Sequence, residues 1–461
     1  MTGSAADTMP SPLRRGSGPP RRSEGVVRRP FFAARRRAQI DEVVSLVIAA
    51  AGLVLLGLRS QVMPGVTLAL LFCIVVTPLW LGTALQHRGH RVLWLGVLAA
   101  EAGGLALAVA DSYEHLFSPA NAVTQVCTLM TIAVAAGFVI WARRALPAWA
   151  MSLLLGIGFL LGIDRGSTLF EEDPWKFGFG LPITLIALGL SQRRHGRLLE
   201  LLVVGVSAGV LLVSDARSAF GVLVLTGALI AWQVRPGSRR SGRSPALFSA
   251  FAALLAFGVY FTGQALLLGG GLGAATQARS VAQVHAAGSL LLGGRPELGA
   301  SLALIRARPL GFGPGAIPTV VDLRTAQAGM ASVGYQPDTV YVTGYLFGGH
   351  IELHSVTADL WAAFGLAGLA LAALVAVALV VGVSVGTVRG SVNATAVYLG
   401  VLTLWNLGFS PIGTSYVLAG IALGLLAPAP NHPAVTLSGT TGDRVVSRDR
   451  PSRGVVVTRP R

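Results

Sequence analysis

Residues 356–382 read VTADLWAAFGLAGLALAALVAVALVVG, with Asp359 the one charged residue among them. A helix rises 1.5 Å per residue and a bilayer's hydrocarbon core is roughly 30 Å thick, so this run is long enough to cross it. Working outward from it, similar apolar runs lie at 42–58, 62–85, 92–110, 121–141, 147–163, 177–191, 198–213, 218–234, 246–268, 392–408 and 411–427. The expected fold is an all-α, polytopic membrane helix bundle of about twelve transmembrane helices. The run at 177–191 is short. Tight turns join 198–213 to 218–234 and 392–408 to 411–427.

Composition agrees. Of 461 residues, 53% are hydrophobic and 12% charged, with mean hydropathy +0.67. Soluble domains carry about a quarter charged residues, so this chain lacks the shell that would keep such a mass dissolved. Cys73 and Cys127 fall inside apolar runs, which argues against a disulfide framework or a thiolate metal site. The Arg-rich leader is too long for a cleavable signal peptide.

The net charge of +16 is concentrated at the ends. Residues 1–40 hold nine Arg against Asp7 and Glu24, and residues 428–461 hold six Arg against Asp443 and Asp449. Both tails are rich in Pro, Gly and Ser, the composition of disorder. Basic tails of this kind suit the anionic lipid of a cytoplasmic surface, making membrane lipids a partner. No aromatic interleaving accompanies the charge, so nucleic acid is not an expected partner.

The loops set the sidedness. Arg88 and Arg91, Arg143 and Arg144, Arg193, Arg194 and Arg197, Arg235 to Arg243, and Arg389 follow the even-numbered runs. The intervening loops carry Asp111 and Glu114, then Glu171, Glu172 and Asp173. By the positive-inside rule both termini are cytoplasmic and the protein sits in the cytoplasmic membrane. Residues 269–355 then form a large extracytoplasmic loop between the ninth and tenth helices. Length alone marks it as functional or disordered. Its content argues for a structured cap, with a helix-like stretch from Pro296 to Arg308, the Gly311–Gly315 run, and Tyr335, Tyr341, Tyr345 and Phe347.

Basic residues are scarce on that outer face, so each is a candidate. Arg217 lies in the turn Ser214-Asp215-Ala216-Arg217-Ser218-Ala219-Phe220. Arg295 opens the loop helix, Arg306 and Arg308 close it, and His350 and His354 precede the tenth run. An arginine fork suits phosphate, though Arg217 could simply cap its turn and snorkel to the headgroups. Imidazole can take a hydroxyl proton near neutral pH, though a histidine before a helix often only bonds its loop. Lys176, the sole lysine, could reach a lipid phosphate or anchor at the interface. Glu171 to Asp173 could hold a cation, but a solvated acidic loop is the more ordinary reading. Glu101, in mid-run, could be a proton relay or a neutral group bonded to a neighbouring helix.

Taken together, Arg217 in its Ser-rich turn, Gly294-Arg295 running to Pro309-Leu310-Gly311-Phe312-Gly313-Pro314-Gly315, and His354-Ser355 before Gly365-Leu366-Ala367-Gly368-Leu369 form an ordered set. On these segments the chain resembles the O-antigen ligase and O-antigen polymerase superfamily of membrane glycosyltransferases. It departs in Ala216 for the usual Ser, Ser218 for Gly, Gly299 for an aromatic and Ser355 for Asn. The resemblance implies transfer of a glycan from a polyprenyl-pyrophosphate-linked donor to a sugar hydroxyl on a glycan or glycolipid acceptor. It implies that Arg217 and Arg295 neutralise the leaving pyrophosphate and His354 takes the proton, with Arg306, Arg308, His350 and Lys176 assisting in substrate binding. It implies no metal and no cofactor. The competing reading is a polytopic transporter or flippase. Against it stand the position of the long loop, outside and late in the chain, and the outward Arg-Arg-His set.

Overall fold

The computed structural model describes residues 28–428 except 195, 215, 235–243, 272 and 337–338. The described chain is mostly helical. In order come α1 (Arg28–Leu58), a two-stranded hairpin of β1 (Gln61–Met63) and β2 (Val66–Thr67), α2 (Leu68–Val75), α3 (Thr77–Ala84), α4 (Arg88–Asp111), α5 (Pro119–Ala145), α6 (Ala148–Leu161) and α7 (Thr168–Glu172). A wide turn at Trp175–Phe179 leads to α8 (Gly180–Arg193), α9 (Arg197–Val213), α10 (Arg217–Val234) and α11 (Pro245–Leu268). The 269–355 segment holds α12 (Ala274–Ala287), α13 (Leu290–Gly293), α14 (Glu297–Ala307), α15 (Val320–Ala331) and a second wide turn at Tyr341–Leu346. The chain then closes with α16 (Val356–Arg389), α17 (Ala394–Phe409) and α18 (Ile412–Leu426).

Among the described residues six helices are long and apolar enough to cross a membrane: α1 from Asp41, α4, α5, α10, α11 and α16. These mark a membrane protein. Shorter apolar helices, α6, α17 and α18, pack beside them.

Two expectations change. The 62–85 run is not one helix. Pro64-Gly65 turns the chain back on itself, with Gly65 at φ 78°, and the remainder of the run is split at Val76 into α2 and α3. Proline fixes φ and glycine supplies the left-handed residue, so the pair makes a turn inside an otherwise apolar run. At the other end of the first span, α1 reaches back to Arg28, into the residues expected to form the basic tail. Residues 1–27 and 429–461, the rest of the two tails, lie outside the described residues.

Helices in lipid gain little by burying apolar surface against each other, so small residues and close backbones carry the packing. At α5–α18, a Cβ on Gly420 would sit 2.7 Å from the Ala135 Cβ, and one on Gly424 would sit 2.6 Å from the Val139 Cβ. At α1–α6, a Cβ on Gly57 would meet the Phe159 amide at 2.6 Å. Helix α5 is the most enclosed of the long helices. Helix α11 lies at the other extreme and exposes Leu247, Phe251, Leu254 and Phe257, as a lipid-facing helix would.

The 269–355 segment builds its own apolar core from Ala300, Leu304, Ala326, Met330, Val342 and Leu346, continued by Trp361 and Ala362 of α16. Its attachment explains the glycine run. Gly311, Gly313 and Gly315 all take positive φ, from 83° to 92°. The amides of Phe312 and Gly313 donate to the Ala362 carbonyl at 2.9 and 3.1 Å. That segment lies against a break in α16 at Gly365 (φ 62°, ψ −145°), where a Cβ would meet the Leu310 carbonyl at 2.5 Å. The two glycine motifs, fifty residues apart in sequence, are halves of one backbone contact.

Candidate functional site

The site lies where the 341–355 segment passes between α14 and the start of α16. Ser355 caps α16, accepting from the Ala358 amide at 3.3 Å and donating to the Leu407 carbonyl at 3.0 Å. Asp359, one turn in, accepts from the Leu353 amide at 2.6 Å and the Ile412 amide at 2.9 Å, tying the segment to the start of α18. Between these anchors His354 is held at φ 53°; besides Arg59 it is the one non-glycine residue at positive φ among the described residues. Such a conformation persists only where the surroundings enforce it, and it is often found at functional positions.

Around the imidazole the groups come from three elements. Its ring lies against Tyr345, with centroids 6.1 Å apart, and Tyr345 stacks on Tyr341 at 5.5 Å and 13°. The Tyr341 hydroxyl donates to Glu297 Oε1 at the start of α14. Arg295, two residues earlier, is close enough for its charge to act on both Tyr341 and His354. On the far side the Tyr345 hydroxyl lies near the Glu352 carboxylate, each acting on the other's charge. Among the described residues His354 Nδ1, Glu297 Oε2 and Glu352 Oε1 are buried without a hydrogen-bond partner. Buried polar atoms are normally paired, so three orphans in one cluster are the signature of a site that meets something else.

The electrostatics are opposed. Burial pulls the His354 pKa below its ordinary value, Glu297 draws it back up, and Arg295 pushes it further down. The imidazole is therefore neutral and able to accept a proton at neutral pH. Burial raises the Glu352 carboxyl, against the Tyr345 hydroxyl and the field of His350. Burial first, then Glu297, raises the Tyr341 phenol and keeps it a donor.

Beside this cluster is a cavity of about 310 Å³, lined by His350, Glu352 and Asp359 and by a polar face of α5. Asn121, Thr124, Gln125 and Thr128 supply that face at the helical spacing i, i+3, i+4, i+7.

The other expected residues differ in their surroundings. Arg217 opens α10 and donates to Ser280 Oγ of α12 at 3.3 Å. One turn along α12 is Gln283, whose carbonyl a Cβ on Gly293 would meet at 2.5 Å. Arg217 and the segment leading to Arg295 thus meet the same face of α12. His350 lines the cavity, its Nδ1 3.3 Å from the Gly348 carbonyl. Arg306 is exposed toward the opposite end of α14, about 14 Å along the axis from Glu297. Lys176 is exposed on the Trp175–Phe179 turn, over the Phe177 ring at 4.6 Å, with its amide on Asp173 Oδ1 at 2.9 Å.

Arg308 has a different occupation. Its guanidinium bonds Asp111 Oδ1 at 2.9 Å, Glu114 Oε2, and Asp322 Oδ1 at 3.5 Å, and it lies over the Phe312 ring. His115 bridges Asp322 and Asp111 at 2.8 and 2.7 Å. Three carboxylates already satisfy this fork, so it fastens the 269–355 segment to the end of α4 rather than offering charge to a phosphate. Asp111, Glu114 and His115 are also the one trio among the described residues spaced to hold a metal ion. Arg308 lies on them, and a dication would have to displace it.

Sequence reasoning passed over Glu297 and Glu352, which read only as neighbours of Arg295 and His354, and it did not single out the α5 face. The signal for that face was present: four polar residues at helical spacing in an apolar run. No family model, curated protein or solved structure matches this chain.

Proposed function

We propose that this protein is a membrane glycosyltransferase, O-antigen ligase- or polymerase-like, that moves a glycan from a polyprenyl-pyrophosphate carrier to a sugar hydroxyl at the outer face of the cytoplasmic membrane. In this reading the shorter helices also cross the membrane, both termini are cytoplasmic, and the 269–355 segment caps the outer mouth of the bundle. The observation that carries it is the pairing of a strained, neutral His354 bearing an orphan ring nitrogen with Arg295 in the same half-buried cluster. A base and a phosphate-type cation held together are what the reaction needs.

The acceptor hydroxyl oxygen attacks the anomeric carbon of the donor sugar. His354 takes its proton, the bond from that carbon to phosphate oxygen breaks, and polyprenyl pyrophosphate leaves with the electron pair. Arg295, with Arg217 from the same face of α12, stabilises the charge growing on the leaving group. Glu297 steadies the imidazolium that forms. Two guanidinium groups match a doubly charged pyrophosphate, so the account needs no metal. The test is reconstitution: purified protein in liposomes with a polyprenyl-pyrophosphate oligosaccharide should lengthen or transfer the glycan, and His354→Ala should not.

A transporter or flippase remains the alternative, favoured by one observation: Glu352 and Asp359 are carboxylates on a cavity beside membrane helices. Lipid-linked glycan crossing a liposome bilayer without transfer would select it.

A further inference from the structure

The cavity beside His354 has the wrong chemistry for the donor's pyrophosphate. Among the described residues no arginine or lysine lines it, while Glu352 and Asp359 do. It is equally ill-suited to a bare cation. Asp359 has both oxygens committed to backbone amides, and the Gln125 side chain is oriented against cation binding. Gln125 Oε1 accepts from the Gly315 amide at 2.9 Å, which leaves its NH₂ group as the end available to a guest. A cation site wants oxygens only.

Asn121 is oriented the other way. Its Nδ2 donates to the Gly349 carbonyl at 2.8 Å, leaving Oδ1 as an acceptor. Both carboxamides are thus fixed by backbone groups of the 269–355 segment, one presenting a donor and the other an acceptor. Thr128 adds a hydroxyl one turn further along the same face. Glu352 adds a carboxylate whose Oε1 is buried and unpartnered among the described residues. Ile351, Ala363 and Phe364 add apolar surface to the same lining. Fixed donors and acceptors interspersed with apolar surface suit a ring with hydroxyls around its edge.

We propose that this cavity is a subsite for a neutral sugar residue, read by Asn121, Gln125, Thr128 and Glu352. This rests on the transferase reading in one respect, namely that the sugar it holds is the acceptor end. Glu352 makes the connection. Its carboxylate lies near the Tyr345 hydroxyl, and the Tyr345 ring lies against His354. A sugar seated against Glu352 therefore lies one aromatic ring from the base. Glu352 and Tyr345 act as positioning residues.

The experiment uses the full-length protein in nanodiscs and saturation-transfer NMR with the methyl glycosides of glucose, galactose, mannose and rhamnose. At least one should bind, and inorganic pyrophosphate should not displace it. Glu352→Gln and Thr128→Val should each weaken that binding five-fold or more, and Arg295→Ala should not. Thr128→Val is nearly isosteric and guards against a fold defect in the carboxylate variant. In the transfer assay the same two variants should raise the acceptor KM more than they lower kcat. Failure of all four glycosides to bind overturns the proposal, as does binding insensitive to both variants or competition by pyrophosphate. The two readings fail separately. Glycoside binding lost in the variants, without any transfer by the wild type, keeps the subsite and removes the transferase. Transfer that proceeds with binding and acceptor KM indifferent to both variants removes the subsite and keeps the transferase.

Discussion

Glu297 accepts the hydroxyl of Tyr341 across forty-four residues of sequence, and this bond joins the start of α14, two residues after Arg295, to the turn that carries the aromatic wall of His354. Its partner oxygen Oε2 is left buried and unpaired among the described residues. Glu297→Gln keeps the Tyr341 bond while removing the charge that favours imidazolium. We expect transfer to fall about ten-fold, with the acid limb of the pH profile moving lower, because Glu297 is the group that raises His354. A profile unmoved by the substitution would show that Glu297 serves the fold alone.

The wild-type pH profile is set by the same cluster. Burial and Arg295 hold the His354 pKa below its ordinary value, so the neutral base persists to lower pH than a free imidazole. Transfer should be flat through neutrality and decline only below about pH 6.5, the ordinary histidine value. The sign for stability is the same. The unfolded chain takes up this proton at higher pH than the native protein, so stability contributed by neutral His354 is present above about 6.5 and is lost as pH falls toward the lowered native value. An acid limb at or above pH 7 would count against His354 as the base.

Substitutions should separate the two arginines of the 269–355 segment that resemble each other in sequence. Arg295→Ala should reduce transfer about 100-fold or more with thermal stability little changed. Arg295→Lys should also be poor, since an ammonium lacks the planar fork. Arg308→Ala should do the reverse. It removes the guanidinium from Asp111 and Asp322, leaving them His115 alone as a cationic partner, and should cost about 2–3 kcal/mol, between the values for exposed and buried pairs. Hydrogen exchange should show the loss in 297–331 and at the end of α4.

That pair also shows where the sequence stopped being legible. Arg295 and Arg308 are equally basic and sit at the two ends of one short helix. Only the fold brings Asp111 and Glu114, almost two hundred residues upstream, onto Arg308. The long apolar runs were readable because bilayer thickness dictates their length. The Pro64-Gly65 turn was not, because apolar residues on both sides hid it. The glycine runs at 311–315 and 365–368 were recognised as motifs, but their mutual contact depends on a break in α16 that no periodicity announces. Glu297 and Glu352 were overlooked because an acidic residue gains meaning only from what the fold buries it beside.

The α16 break gives its own prediction. Gly365 combines positive φ with a space closed by the Leu310 carbonyl. Gly365→Ala should cost about 3 kcal/mol or more, from strain and overlap together. It should loosen the Gly311–Gly315 segment, and transfer with it. A protein as stable as the wild type would mean that the break is not required for the 269–355 segment to dock.

The topology can be read with single cysteines at Ser241 and Ser332 in a background lacking Cys73 and Cys127. Ser332 follows α15, while Ser241 lies outside the described residues. With twelve crossings and an outward 269–355 segment, an impermeant thiol reagent added to intact cells should label position 332 and not 241. Labelling of both would rule that arrangement out.

On the proposed mechanism a base and two guanidinium groups move a glycan from polyprenyl pyrophosphate without a metal. Purified protein should be given a polyprenyl-pyrophosphate oligosaccharide and an acceptor glycan in excess chelator, with His354→Ala, Arg217→Ala and Arg295→Ala alongside. The wild type should transfer at the rate seen without chelator, and each variant should lose about 100-fold or more. Absence of wild-type transfer under all conditions, or transfer abolished by chelator and restored by magnesium or manganese, would contradict that mechanism.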